Sequence, residues 1–219
     1  MLTPRTPNQT QYVKSLQNVS KPIVIATGPP GSGKTALPCQ VAAERFKSGD
    51  VQKIVLTRPI VCAGEDLGYL PGSIENKMDP WTRPMFDILE NYFARTRIKQ
   101  MVDNRTIEIA PLAYMRGRTF NNCYIIADEM QNSTQQQMKM VLTRLGQDSQ
   151  MVITGDTEQC DLPDPELGGL HQLLYRLDGY RDNLEYIEKV ILTTTDIQRH
   201  PAVTEVTQIY SDEYENLLD

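Results

Sequence analysis

The sequence predicts an α/β protein whose mostly parallel β-sheet is covered by helices. Five short apolar runs rich in β-branched residues alternate with longer segments of helical character, the pattern of buried parallel strands joined by helices. The first run is followed directly by a glycine-rich segment that leads into a helical one, as in a phosphate-binding loop. A chain of 219 residues can bury one sizeable core, so we expect a single domain over residues 1–219.

The predicted strands are too uniformly apolar to be half-exposed, which places them inside the sheet. They cover residues 23–26, 54–56, 124–127, 151–153 and 190–192. Helices are expected before, between and after these strands, in a βαβ layout. They cover residues 8–18, 34–47, 81–95, 134–145, 168–177 and 202–218.

Two further segments depart from this alternation. Two strand-like pieces flank Asp103 and Asn104, a turn-prone pair, so residues 98–110 are predicted to form a β-hairpin insertion. Residues 58–84 are rich in glycine and proline. This composition argues against a long helix there and favours an ordered functional loop.

Composition excludes several classes of protein. No apolar run approaches the roughly 18 residues that a membrane-spanning helix needs, and the N-terminus lacks the pattern of a secretory or transit signal, so we expect a cytoplasmic protein with no membrane partner. The four cysteines form no CxxC pair and only two histidines are present, which argues against a zinc site or a disulfide framework. Any metal should have oxygen ligands.

Charge is distributed unevenly along the chain. The net charge is −6, but residues 1–119 carry 16 basic and 10 acidic residues, whereas residues 120–219 carry 6 and 18. The basic half could supply a phosphate-contacting surface, or the charges could be ordinary solvated ones.

The glycine-rich segment fits the pattern G-x-x-x-x-G-K-[ST] in the strand-to-helix context that this motif requires. Its residues are Gly28, Pro29, Pro30, Gly31, Ser32, Gly33, Lys34 and Thr35. Backbone N–H groups and the helix N-terminus would bind phosphate, with Lys34 reaching the β and γ phosphates and Thr35 offering a hydroxyl to Mg²⁺. ATP and Mg²⁺ are therefore the predicted ligands.

A second motif ends the third predicted strand in two carboxylates. Asp128 is predicted to hold Mg²⁺ with Thr35, the position of a Walker B element. Glu129 is predicted to polarise a water for in-line attack on the γ-phosphate, and a carboxylate there favours hydrolysis over transfer to another acceptor.

Two later residues are further candidates. Gln159 follows the next predicted strand, where open α/β sheets place ligands, and could sense the γ-phosphate; the alternative is a simple turn. Arg199 precedes a predicted helix and could stabilise transition-state charge in its own subunit or in a neighbour, or be an ordinary surface arginine.

Together these motifs resemble the PhoH-like family of P-loop ATPases over nearly the whole chain. Besides the motifs above, the family pattern is visible at residues 57–59, 64–72, 79–80, 83–84, 111–119, 128–132, 137–140, 143–146, 155–156 and 199–201. Near the start, Gln9, with Asn8 and Tyr12, looks like the family's glutamine before the P-loop, a candidate adenine reader.

The resemblance implies a RecA-like sheet similar to the first core of superfamily 1 helicases, and an ATPase acting on RNA or single-stranded DNA. By that likeness Gln159 couples the γ-phosphate to nucleic acid, and Arg58, Arg116 and Arg118 are candidate polymer contacts. Since related motors use two cores and this chain holds one, a homo-oligomeric ring such as a hexamer is predicted. The alternatives are an ATP-dependent binding switch for a protein partner and, less favoured, a small-molecule kinase.

Overall fold

A computed structural model of the protein describes residues 3–59 and 74–200, together with Ala202. The six described strands are β1 (Ile23–Thr27), β2 (Lys53–Thr57), β3 (Ile107–Ile109), β4 (Cys123–Ala127), β5 (Gln150–Gly155) and β6 (Ile187–Ile191). They form one sheet in the order β3-β2-β4-β5-β1-β6, and every neighbouring pair is parallel. The predicted parallel α/β fold is confirmed, and β3 is an additional strand at the edge.

Seven α-helices are described. They are α1 (Pro7–Gln17), α2 (Ala36–Ser48), α3 (Ile74–Leu89), α4 (Arg95–Asp103), α5 (Leu112–Met115), α6 (Gln135–Leu142) and α7 (Gly169–Asp178). None of these described helices is both long and apolar enough to cross a membrane.

The helices cover both faces of the sheet and bury a core on each. Strand residues alternate between the faces: Val24 and Ala26 of β1 pack toward α1 and α2, whereas Ile25 packs on the face of α6 and α7. Because both faces of the central strands are covered, the strands read as continuous apolar runs. This burial is why the sequence located β1, β2, β4 and β5 correctly. The fifth strand, predicted inside the sheet over residues 190–192, is β6 (Ile187–Ile191), which begins earlier and lies at the edge of the sheet with only Val190 buried.

The predicted β-hairpin over residues 98–110 is wrong. Its first half belongs to α4, where Ile98 and Met101, three residues apart, are both buried. Asn104 ends that helix by donating its backbone N–H to the carbonyl of Gln100, so the turn-prone pair closes a helix instead of joining two strands. Its second half forms β3, which runs parallel to β2.

The helix predicted over residues 81–95 lies earlier in the chain, as α3, and includes Pro84. Met85, Phe86 and Leu89 are buried against the sheet. Burying such large apolar side chains contributes about 1.5–3 kcal/mol each, comparable to the cost of a proline inside a helix. The expectation that no long helix lies within residues 58–84 is therefore wrong for residues 74–84. Residues 60–73 lie outside the described residues, and so does the helix predicted over residues 202–218 apart from Ala202.

Candidate functional site

The P-loop joins the carboxyl end of β1 to α2, at the edge of the sheet where β4 and β5 also end. The backbone N–H of Gly28 donates to the carbonyl of Gly155 at 3.3 Å, which ties the start of the loop to the end of β5. The Ser32 hydroxyl donates to the Pro29 carbonyl at 2.8 Å. The Lys34 ammonium lies 3.4 Å from that same carbonyl, so the lysine side chain folds over its own loop.

Thr35 and Asp128 are brought together as the sequence predicts. Thr35 stands at the N-cap of α2, yet its side chain makes no cap hydrogen bond. Its hydroxyl donates instead to Asp128 Oδ1 at 2.8 Å. The hydroxyl of Thr154 on β5 donates to the same oxygen, so two strands and the P-loop meet on one buried carboxylate.

This pair suits a magnesium ion. Burial raises the pKa of Asp128, the charge of Glu129 raises it further, and hydrogen bonds from Thr154 and Thr35 oppose the shift. A bound cation would favour the ionised form. Mg²⁺ is commonly held by only one or two protein oxygens with phosphate and water completing its shell, and a hydroxyl beside a carboxylate meets that need. Within residues 3–59 and 74–200, no cluster of three or more His, Cys, Asp or Glu side chains offers a metal site.

Glu129 is held by contacts on both carboxylate oxygens. Its backbone is left-handed, with φ of 54°, an unusual conformation for a non-glycine residue. One oxygen lies 3.8 Å from the guanidinium of Arg58. The other accepts a hydrogen bond from Gln131 Nε2 at 2.6 Å. Such strained backbone commonly marks functional positions.

Gln159 lies at the same edge, on the segment after β5. Its side chain is exposed, while its backbone carbonyl accepts from Gln131 Nε2 at 3.2 Å. Asp156, at the start of this segment, is buried. The Gln131 amide therefore links the Gln159 backbone to the Glu129 carboxylate. The role of Gln159 as a γ-phosphate sensor stays a prediction.

Arg199 lies against the P-loop of its own chain. A Cβ atom added to Gly31, whose φ is +81°, would stand 2.6 Å from Arg199 Nε. The backbone N–H of Gln198 donates to the Gly31 carbonyl at 3.0 Å. Glycine at position 31 thus admits both the left-handed backbone and the close approach of the arginine.

Gln9 and Tyr12 of α1 brace the P-loop. Gln9 is buried, and its side-chain amide donates to the backbone carbonyls of Ser32 and Asp196, both at 3.0 Å. Its oxygen accepts from the backbone N–H of Arg5. Every polar atom of Gln9 thus has a protein contact that supports the loop, and its adenine-reading role stays a prediction.

Replacing Tyr12 with Phe should loosen this brace. The buried Tyr12 hydroxyl donates to the Lys34 carbonyl at 3.0 Å. Its loss leaves a buried acceptor unpaired, so we expect the free energy of unfolding to fall by about 1–2 kcal/mol and the KM for ATP to rise. Denaturant unfolding and steady-state kinetics measure both. The control is Tyr124→Phe, because that hydroxyl is buried without a hydrogen-bond partner among the described residues; equal destabilisation by both variants would contradict the prediction.

The three arginines predicted to contact a polymer do not form one track. Arg58 follows β2 at the carboxyl edge, beside Glu129. Arg118 stacks on the Phe120 ring and pairs with Glu108, toward the amino end of the strands. Arg116 is exposed just after α5. Of the three, Arg58 is the one that contacts Glu129.

Three residues important to this geometry were not singled out by sequence reasoning. Gln131 and Thr154 bind the two Walker B carboxylates. Asp196 accepts hydrogen bonds from Thr6, the N-cap residue of α1, and from Asn8 in its first turn. The sequence does show a glutamine three residues after Asp128. The hydrogen-bond partners of Gln131, Thr154 and Asp196, however, are set by contacts between distant segments or by the fold of the turn, which the sequence does not show.

Comparison with known proteins places these features in a wider group. Residues 1–211 match the family model described as PhoH-like protein. A PhoH-like protein of Bacillus subtilis (strain 168) is 44% identical over 206 residues, which cover 94% of this chain and 63% of that relative. Protein PhoH of Escherichia coli (strain K12) is 43% identical over 176 residues, which cover 80% of this chain and 49% of that relative. The chain thus spans less than two thirds of the length of these relatives.

Solved structures show a more distant likeness. Bacteroides Pif1 bound to ssDNA aligns with 94% of this chain and 45% of its own, at 20% identity and a TM-score of 0.40. A Sulfolobus solfataricus SWI2/SNF2 ATPase core in complex with dsDNA aligns with 70% of this chain and 32% of its own, at 16% identity and a TM-score of 0.44.

Proposed function

Because the chain belongs to the PhoH-like family, we propose that it is a Mg²⁺-dependent ATPase whose turnover responds to RNA or single-stranded DNA. The observation that carries the proposal is the junction of the P-loop with the Walker B strand, where Thr35 donates to Asp128 at 2.8 Å. Lys34 directly precedes Thr35 in the P-loop, and Glu129 directly follows Asp128 after β4.

Each residue at this edge has a distinct task in the proposed reaction. The N-terminus of α2 and Lys34 bind the phosphates. Thr35 and Asp128 would hold Mg²⁺, which neutralises phosphate charge when bound. Glu129 accepts a proton from water as the water oxygen bonds to the γ-phosphorus and the bond to the β-phosphate oxygen breaks, releasing ADP and phosphate. Arg199 stabilises the charge of the transferred phosphoryl group.

The position of Arg199 favours action within its own subunit, since it packs against Gly31 of the same chain. A ring of identical subunits remains our prediction for the assembly. Sedimentation of the protein with an ATP analogue tests it, and a monomer at working concentration would exclude the ring.

The nucleic-acid part of the proposal is supported by the ion pair between Arg58 and Glu129. Arginine is well suited to phosphate contacts, and a polymer phosphate that engages Arg58 competes for the guanidinium that now lies 3.8 Å from Glu129. Releasing Glu129 from that pair increases its availability as a base. Polymer binding would thereby stimulate hydrolysis.

Phosphate release from MgATP, alone and with single-stranded RNA or DNA, tests the proposal. Lys34→Ala should abolish turnover, and Lys139→Ala, which removes an exposed lysine of α6, should not. Arg58→Ala should lose stimulation by the polymer, whereas Arg97→Ala, an exposed arginine of α4, should keep it. Absence of hydrolysis would exclude the ATPase; hydrolysis that neither polymer changes would exclude only the nucleic-acid response.

A further inference from the structure

Gln131 forms a hydrogen-bonded bridge between Glu129 and the segment that follows β5. Its side-chain nitrogen donates to Glu129 Oε2 at 2.6 Å and to the backbone carbonyl of Gln159 at 3.2 Å. Its side-chain oxygen accepts from the backbone N–H of Asp156 at 3.1 Å. The side chain is buried, so these protein contacts satisfy both donors and an acceptor lone pair of the amide.

We propose that Gln131 is a positioning residue that fixes the Glu129 carboxylate for hydrolysis by tying it to the backbone of residues 156–159. This inference rests on the proposed ATPase activity. A neutral amide donor orients the carboxylate while leaving it free to accept a proton, which a cationic partner such as Arg58 does less well. The left-handed backbone at Glu129 makes that orientation depend on its surroundings.

The end of β5 is shaped to admit this amide. A Cβ atom added to Gly155 would lie 2.7 Å from Gln131 Oε1 and 2.5 Å from Leu170 Cδ2. Any larger residue at this position would displace the Gln131 amide or Leu170. The glycine therefore permits the close approach on which the bridge depends.

Asn132 provides a natural comparison. It joins the same two segments, because its side chain donates to Asp161 Oδ2 at 2.9 Å and accepts from the Asp161 backbone N–H at 2.8 Å. None of these bonds reaches Glu129. A residue that merely fastens the segments should therefore behave like Asn132, and a positioning residue should not.

The test replaces Gln131 with Met, which keeps the length of the side chain and removes its hydrogen bonds. We expect kcat for ATP hydrolysis to fall about 10- to 100-fold, as for a misplaced catalytic group, with the KM for ATP changed less than about 2-fold. Gln131→Glu keeps the acceptor for Asp156 and replaces the donor to Glu129 with a second carboxylate. It should lower kcat similarly, and thermal melting establishes that each variant is folded.

Two comparisons decide the role of Gln131. Asn132→Ala should keep kcat within about 2-fold of the unmodified protein, and Gln131→Met should have no further effect when Glu129 is already Gln. Equal losses in the Gln131→Met and Asn132→Ala variants, or a full additional loss in the double variant, would overturn the inference while leaving the ATPase intact. An unmodified protein without hydrolysis would instead reject the proposed function, and this role with it.

Discussion

Replacing Glu129 with Gln should lower the rate of ATP hydrolysis about 10²- to 10⁴-fold, the usual contribution of a general base. The change preserves the size of the side chain and removes its ability to accept a proton from water. Nucleotide binding should persist, because the P-loop and the pair of Thr35 with Asp128 do not depend on that proton. Phosphate release measures the first effect, and titration with a fluorescent ATP analogue measures the second.

Glu166→Gln is the matched control for Glu129→Gln, since Glu166 is an exposed carboxylate on the turn that leads into α7. If both variants slow hydrolysis equally, the effect is one of general charge and Glu129 is not the base. The Glu129→Gln variant also separates an ATP-driven motor from an ATP-dependent binding switch. A motor stalls with ATP bound, whereas a switch stays locked in its partner-binding state.

The strands and the two phosphate-site motifs could be predicted because each carries its own context. β4 is buried along its whole length and ends directly before Asp128. The apolar run therefore predicts a buried strand, and the carboxylate that follows it predicts the Walker B position. The P-loop follows β1 in the same way. Such local patterns can be recognised without knowledge of the tertiary contacts.

The remaining features depend on contacts that a single segment does not reveal. Ile107–Ile109 is only three residues long, and it forms a strand because β2 offers it a parallel edge. Thr154 reaches Asp128 across 26 positions of sequence. Asp196 reaches Asn8 across 188. Periodicity and motif spacing carry no information on such pairings, so the sequence identified the candidate site residues and missed the residues that hold them in place.

Replacing Asp196 with Ala should destabilise the protein by about 1–3 kcal/mol, the cost of leaving buried hydrogen-bond donors without their acceptor. The Asp196 carboxylate is fully buried. It accepts hydrogen bonds from the Thr6 hydroxyl, the Asn8 amide and the backbone N–H of Thr193. These donors lose their partner in the variant. The turn that carries the backbone acceptor for Gln9 is then released, so the KM for ATP should rise as well.

The loss should depend on pH in a defined direction. Burial by itself raises the pKa of Asp196, but the hydrogen bonds from Thr6, Asn8 and Thr193 outweigh it and hold the pKa below its ordinary value of 3.8. A carboxyl group whose pKa is lowered by folding stabilises the folded state at pH values above its ordinary pKa. This contribution is lost as the pH falls through the lowered pKa of the folded protein. The difference in unfolding free energy between the unmodified protein and the Asp196→Ala variant should therefore be constant above about pH 5 and shrink below pH 4.

Denaturant unfolding between pH 3 and 7 measures this difference, and Asp196→Asn is its companion variant. Asn keeps one acceptor and cannot ionise, so it should recover part of the stability lost in Asp196→Ala without the pH dependence. Asp164→Ala, at an exposed aspartate before the turn that leads into α7, should have little effect. A destabilisation by Asp196→Ala that does not change across the whole pH range would show that packing around the side chain, and not its charge, joins the start of α1 to the P-loop.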